Sequence, residues 1–136
     1  MIKSADEFIK LRTSDLLEEY ERAGNDPADI ATWREVIEKH PDFKVWVIHN
    51  KTVPIEILET LTFDDHPDVR SAVARKRKIN EKIFQILSRD KDEDVRYALM
   101  CNTKLTVDRL KQIETSDSDW LTEKLNERIR GLGNEG

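Results

Sequence analysis

Hydrophobic positions in residues 40–117 recur with a period of 26 residues. Three blocks, residues 40–65, 66–91 and 92–117, align over this stretch without a gap. A fixed period of about 20–50 residues indicates a repeat architecture, in which each unit buries its apolar face against its neighbours. The pattern therefore predicts three structural repeats.

Each block predicts two short helices joined by a turn, because its apolar columns have the i, i+3 and i+4 spacing of one helix face. The first-helix column holds Val47, Val73 and Leu99. The second-helix columns hold Leu58, Phe84 and Leu110, then Leu61, Leu87 and Ile113. Helices this short are unstable alone, so we expect the units to stack into one core.

Polar residues at fixed places predict where these helices begin and end. Aspartate is a good N-cap because its carboxylate accepts hydrogen bonds from the free amides of the first turn. The predicted first-helix caps are Asp42, Asp68 and Asp94. Asn80 and Thr106 are predicted to cap the second helices, with Thr52 in the first block. Asn50 and Asn102 are predicted to end first helices in a left-handed conformation.

The flanking segments predict terminal caps of the helical stack. Ser4 and Glu7 form a capping box that opens a helix. The apolar members of that helix are predicted to be Phe8, Leu11, Leu16 and Tyr20. Asp26-Pro27 predicts the start of a degenerate half-repeat, whose apolar face holds Ile30, Trp33 and Ile37. At the far end, Leu121 and Leu125 continue two repeat columns, and Gly131 and Gly133 are predicted to stop the helix.

The predicted fold is an all-α, right-handed α-solenoid of short helical hairpins without β-strand. It forms a single helical-repeat domain over residues 1–136. Residues 1–39 are the N-terminal cap and half-repeat, the three repeats follow, and residues 118–136 are the C-terminal cap. Trp33 and Trp46 are predicted to be core residues, whereas Trp120 is predicted to be partly exposed.

Two strings within the repeats resemble known helical-repeat families. DVRSAVAR at residues 68–75 and DVRYAL at residues 94–99 are similar to the bacterial leucine-rich repeat variant and to HEAT-like repeats. Residues 50–65 resemble the other half of the variant repeat. The resemblance implies a solenoid that serves mainly as a protein-binding surface. It also implies that Arg70 and Arg96 pair with acidic groups of neighbouring units.

The net charge, the hydropathy and the cysteine count of the chain disfavour several classes of protein function. The chain has 136 residues, 38% of them charged, and a formal net charge of −5, which disfavours binding to nucleic acid or to an anionic membrane. No apolar run approaches the roughly 20 residues of a membrane-spanning helix. The single Cys101 suits a reducing compartment. We expect a cytoplasmic protein, and a monomer.

No catalytic motif stands out in the chain. The sequence has no glycine-rich phosphate loop, no serine-centred elbow and no spacing typical of metal ligands. The acidic run at residues 90–94 lacks the glycine and the terminal glutamate of a calcium loop. We therefore predict no enzyme, no cofactor and no metal site.

Charge is segregated between the two kinds of turn. The turns inside the repeats carry six cations and no carboxylate, and they form a predicted basic edge of Lys51, Arg75, Lys76, Arg77, Lys78 and Lys104. The turns between the repeats, residues 62–68, 88–94 and 114–119, are acidic. A basic edge on an acidic protein is suited to an acidic partner surface or a phosphate-bearing ligand, although such runs are often only solvated turns.

The leading functional hypothesis is a non-catalytic scaffold that binds another protein, with a bacterial immunity or regulatory protein that masks its partner as the specific version. The predicted partner-binding residues are His49, Lys51, Arg75, Lys76, Arg77, Lys78, Tyr97 and Lys104. The stacked first helices are expected to add Val45, Ile48, Ser71, Ala74 and Met100 near that surface. The alternative is a HEAT-like protein that binds nucleic acid or a phosphate ligand through the basic edge.

Overall fold

A computed structural model describes residues 1–135. Ten α-helices and no β-strand occur in that range, so the predicted all-helical character is confirmed. The chain divides into two compact units, Met1–Leu61 and Thr62–Gly136. None of the helices described is long and apolar enough to cross a membrane.

The first unit contains five α-helices. These are α1 (Ala5–Arg12), α2 (Leu17–Asn25), α3 (Ile30–Lys39), α4 (Lys44–His49) and α5 (Ile55–Leu61), with a 3-10 turn at Pro41–Phe43 before α4. Helix α1 packs against α2 and α3, and α3 packs against α4. The core centres on Phe8 and Trp33, whose rings meet edge to face at 5.2 Å.

The N-terminal helix prediction is wrong beyond Arg12. The serine cap is confirmed, because Ser4 Oγ accepts a hydrogen bond from the backbone amide of Glu7 at 3.0 Å. The chain then breaks, and Ser14 Oγ accepts from the amide of Leu16 at 3.0 Å. This local bond favours a turn over a continuous helix. Consequently Leu16 and Tyr20 are exposed, not buried.

The next predicted helix begins later than the Asp-Pro signal indicates. Residues Pro27 and Ala28 are held in an extended conformation, because the amide of Ile2 donates to the Pro27 carbonyl at 2.8 Å and Ile2 forms an isolated parallel bridge with Ala28. Helix α3 therefore starts at Ile30. Its predicted core residue Trp33 is fully buried.

The second unit contains five α-helices. These are α6 (Pro67–Ala74), α7 (Glu81–Leu87), α8 (Glu93–Met100), α9 (Val107–Leu110) and α10 (Asp119–Glu135). The α6–α7 and α8–α9 pairs start at equivalent repeat positions, but α9 is only four residues long. Helix α6 packs against α7 and α8, and α8 packs against α10. The predicted column residues Val73, Phe84, Leu87 and Leu99 form the buried core.

The predicted first-helix caps are wrong by two residues. His66 is the N-cap of α6, and Pro67 occupies its first turn, where a missing amide hydrogen costs nothing. Asp92 caps α8, and its carboxylate accepts from the amide of Asp94 at 2.8 Å. Asp68 and Asp94 thus lie in the first turns, where a carboxylate is favoured by the helix dipole. Asp42, the third predicted cap, falls within the 3-10 turn.

The second-helix caps are confirmed in this unit. Asn80 Oδ1 accepts from the amide of Ile83 at 2.9 Å, and Thr106 Oγ1 accepts from the amide of Arg109 at 3.3 Å. In the first unit, the hydroxyl of Thr52 is directed instead to Asn50 Oδ1, at 2.6 Å.

The predicted stop of the last helix is wrong. Helix α10 continues through Gly131 and Gly133 as far as Glu135. No glycine in the part of the chain that the structure describes has a positive φ, so neither residue forms a left-handed C-terminal cap.

Candidate functional site

Two basic turns of the second unit are joined by the buried side chain of Asn102. Its Nδ2 donates to the carbonyls of Ala74 and Lys76, both at 2.9 Å. Its Oδ1 accepts from the amide of Lys104 at 3.0 Å. The side chain thereby fastens the turn after α8 to the turn after α6. These contacts bring together five predicted site residues, named here the basic surface: Arg75, Lys76, Arg77, Lys78 and Lys104.

Asn50 makes the equivalent contacts within the first unit. Its Nδ2 donates to the carbonyls of Ala23 and Asp26, both at 2.9 Å, and its Oδ1 accepts from the amide of Thr52 at 2.8 Å. The predicted left-handed conformation of Asn50 and Asn102 is wrong, since no non-glycine residue among those described has a positive φ. Asparagine is needed at this column because it supplies two donors and an acceptor to buried backbone groups.

Two lysines of the basic surface have lowered pKa values. Arg75, Arg77, Lys78 and Lys104 are exposed, and Lys76 is half-buried. Burial, together with the positive charge of Lys78, lowers the pKa of Lys76. Although Lys78 is exposed, partial removal of its water by neighbouring groups also lowers its pKa. An approaching carboxylate or phosphate would therefore stabilise these cations.

A cavity of about 280 Å³ adjoins the basic surface between α7 and α9. Arg77 and Lys104 line it, together with the apolar side chains of Ile79, Phe84 and Leu105. Arg109 also lines the cavity, with its guanidinium 5.1 Å from the centre of the Phe84 ring.

The charge of Arg109 is already compensated. Its Nη1 donates to the carboxylate of Glu81 at 2.8 Å. This pairing lowers the pKa of Glu81, after the larger effect of the hydrogen bond from Gln85. The other cations that line the cavity are Arg77 and Lys104 of the two turns.

The opposite ends of the α6 and α8 helices are acidic, and two buried arginines neutralise part of that charge. Arg70 forms a bidentate pair with Asp90, with Nε–Oδ2 at 2.8 Å and Nη2–Oδ1 at 3.1 Å. Its Nη1 donates to the carbonyls of Asp64 and Asp65 at 2.8 and 3.2 Å. The side chains of Arg70 and Asp90 are 7% and 6% exposed.

Arg96 repeats this arrangement one unit further along the chain. Its Nη1 donates to the Glu114 carbonyl and to Asp117 Oδ1, both at 2.7 Å, and its Nη2 donates to Asp117 Oδ2 at 2.9 Å. The hydrogen bond from Arg96 lowers the pKa of Asp117. Two carboxylates of the acidic end are thus held in internal ion pairs. Each lies in the same 26-residue block as its arginine, so the expected pairing of Arg70 and Arg96 with neighbouring units is wrong. The two basic turns contain no carboxylate.

The remaining predicted site residues lie outside the basic surface. Tyr97 is half-buried and its ring lies 5.1 Å from the ring of Trp120, which is partly exposed as predicted. His49 and Lys51 are exposed residues of the first unit. The expected contribution of three first-helix residues to the surface is wrong, because they are buried in the core: Ile48, Ala74 and Met100.

An exposed aromatic cluster in the first unit was missed at the sequence level. The guanidinium of Arg12 lies 3.5 Å from the centre of the Trp46 ring and 4.7 Å from that of Tyr20. Trp46 is 36% exposed, so the prediction that it is a core residue is wrong. The side chain covers an arginine at the surface instead of filling the interior. The available signal was the Thr-Ser-Asp sequence at residues 13–15, which separates α1 from α2.

The chain has no significant match among protein-family models, curated proteins or solved structures. The resemblance to the leucine-rich repeat variant and to HEAT-like repeats therefore stays a prediction. Within the described residues, no group of three or more His, Cys, Asp or Glu side chains is arranged to hold a metal ion.

Proposed function

We propose that the chain is a non-catalytic scaffold that binds the acidic surface of another protein through its basic surface. The supporting observation is the juxtaposition made by Asn102, which holds Lys104 beside Arg75–Lys78 in two turns without a carboxylate. Charges of one sign held together on a rigid support steer a complementary partner and fix its orientation.

A difference in charge pairing between the acidic and the basic ends of α6 and α8 supports this choice of surface. At the acidic end, Arg70 and Arg96 are committed to Asp90 and Asp117. At the basic end, burial and the positive charge of Lys78 lower the pKa of Lys76. A partner carboxylate placed there relieves the repulsion, so its binding is favoured more than at the acidic end.

A protein is the better partner, and a nucleic acid or phosphate ligand is the alternative. The formal net charge of −5 repels a long polyanion, whereas a protein partner needs only one local acidic patch. The cavity lined by Arg77 and Lys104 is the observation that favours the alternative, because it has room for a small anionic group.

The proposed scaffold is the right-handed solenoid predicted from the 26-residue repeats, with capping helices at both ends. It acts as a cytoplasmic monomer that masks or regulates its partner, as a bacterial immunity protein does. The equivalent helix starts in the second unit and the equivalent contacts of Asn50 and Asn102 support a repeating design.

Site-specific photocrosslinking in the native host tests the proposal directly. A benzophenone amino acid at Thr103 lies in the second basic turn and is exposed, and it leaves every cation in place. We expect it to crosslink an acidic protein. The double reversal Arg75→Glu and Arg77→Glu should remove that product, whereas the matched control Arg89→Glu at the acidic end should not.

The crosslinked material also separates the two candidate functions. A nuclease-sensitive product at Thr103 would replace the protein proposal with the nucleic-acid alternative. A protein product that survives the double reversal would show that the basic surface is not the contact.

A further inference from the structure

We propose that the exposed aromatic cluster of the first unit is a second docking surface, and that it binds a basic amphipathic helix of a partner protein. This aromatic patch consists of Arg12, Leu16, Leu17, Tyr20 and Trp46. It is separate from the basic surface in residues and in chemistry, so the inference goes beyond the proposed function and does not depend on it.

The patch concentrates apolar side chains that a folded protein normally buries. Leu16 is 64% exposed, Leu17 is 70% exposed and Tyr20 is 44% exposed. Leu17 and Tyr20 are three residues apart and lie on one face of α2, and Leu16 is the extended N-cap residue directly before them. Ala23 is the one buried residue within α2. Several exposed apolar side chains on one short segment mark an interaction site more often than a scattered exposed leucine does.

The patch is held in place before any partner arrives. The guanidinium of Arg12 lies over the rings of both Tyr20 and Trp46, and these cation–π contacts hold the two rings in place. Ser14 Oγ donates to the carboxylate of Glu19 at 2.8 Å and thereby fixes the start of α2. Preorganised Trp, Tyr and Arg side chains are the residue types that carry most binding energy in protein interfaces.

Charge around the patch selects the occupant. Asp15, Glu18 and Glu21 are exposed and lie in or beside α2. Nearby Arg22 does not offset them, because it is paired with Glu7 at 3.3 Å and with Asp26 at 2.7 Å. Within the patch Arg12 is the one cation, against these three carboxylates, so the balance of charge is negative. Such a surface attracts apolar residues flanked by Lys or Arg, and it repels nucleic acid and anionic membranes.

A helix is the shape that fits this face. Residues three and four apart on α2 form the ridges that interlock with the grooves of a second helix. A partner helix with apolar residues at the same spacing and cations beside them satisfies both the apolar face and the carboxylates. This is the helix-in-groove mode of peptide recognition.

A displayed library of random helical peptides supplies a defined probe for a partner of unknown sequence. The library is selected on the wild-type chain after depletion on the Leu17→Ala, Tyr20→Ala double variant. We expect enriched peptides with apolar residues at i, i+3 and i+4 and a net positive charge. A synthetic copy should bind the double variant at least about tenfold more weakly than the wild type, as for loss of interface anchors.

Matched variants keep the test specific. Both substituted residues are exposed, so circular dichroism of the double variant should match that of the wild type. Trp120→Ala removes an equally exposed aromatic residue of the second unit and should leave peptide affinity unchanged. The Arg75→Glu, Arg77→Glu variant should also leave it unchanged, which separates failure of this inference from failure of the proposed function.

Three outcomes would overturn the inference. If the selection enriches no peptide that binds the wild type more tightly than the double variant, the patch binds no helix. Enriched peptides that are neutral or acidic would refute the charge argument. Sedimentation that detects a dimer of the wild type, absent in the double variant, would assign the patch to a second copy of the chain.

Discussion

The buried ion pair between Arg70 and Asp90 gives the sharpest stability prediction, because in its repeat equivalent the carboxylate partner, Asp117, is exposed. The proposed change is Asp90→Asn, which keeps the side-chain volume and removes the charge. Asp90 accepts from Arg70 through both oxygens, and its Oδ1 also accepts from the amide of Asp92 at 2.9 Å. The asparagine oxygen can retain part of this set, but its amide nitrogen faces the guanidinium.

The expected loss is about 3 kcal/mol in the free energy of unfolding. Removing one partner of a buried pair costs roughly 3–5 kcal/mol, because the remaining charge is left uncompensated away from water. The low end applies because Arg70 keeps its hydrogen bonds to the carbonyls of Asp64 and Asp65.

Urea denaturation followed by circular dichroism measures this loss, with Asp117→Asn as the matched control. Asp117 makes the same bidentate pair with Arg96, and the Arg96 side chain is likewise buried, at 2% exposed, so the two pairs differ only on the carboxylate side. The Asp117 side chain is 61% exposed, so water can take the place of the charge that the substitution removes. The control should therefore lose clearly less stability. Equal losses at Asp90 and Asp117 would refute the argument that burial decides the strength of these pairs.

Three further predictions concern the turns and the ion pairs of the second unit. Asn102→Ala should lower the free energy of unfolding by about 2 kcal/mol in urea titrations, since it leaves buried carbonyls unpaired, and Asn102→Asp should lower it further by burying a charge. Lys78→Gln should raise the pKa of Lys76 toward its ordinary value of 10.5, measured by NMR titration, because the charge of Lys78 helps to lower it. Arg96 lowers the pKa of Asp117 in the native protein, so their pair stabilises the fold at pH values above the ordinary carboxyl pKa of 3.8. This stabilisation is lost as the pH falls through the lower native pKa. Asp117→Asn should remove that part of the pH dependence of the free energy of unfolding.

The sequence predicted the helical pairs of the second unit because local signals and the repeat period agree there. Asn80 and Thr106 cap α7 and α9 as expected, and Phe84 and Leu99 are buried as their columns require. The first-helix caps were misplaced because both Pro67 and Asp92 offer earlier starts than the aspartate column. Where several capping residues or a proline lie close together, any of them can start the helix, and tertiary packing determines which one does.

The candidate surfaces were harder to predict, because hydrophobicity at helical spacing does not by itself determine burial. Leu16 and Trp46 fit an apolar stripe, yet they are exposed, since a surface contains many apolar atoms. Asn102 acts on carbonyls 26 and 28 residues earlier in the chain, a contact that no local pattern contains. The cations of the basic surface were recognisable from the sequence, but the hydrogen bonds of Asn102 that join their two turns were not.

The salt dependence of partner association is the most direct test of the proposed function. The partner captured through Thr103 is mixed with the wild type and with the Arg75→Glu, Arg77→Glu variant in stopped flow. We expect the variant to associate at least about tenfold more slowly at low salt, and the difference to shrink toward physiological ionic strength, where charges are screened over about 8 Å. Equal association rates for both proteins, with the same dependence on salt, would contradict the account.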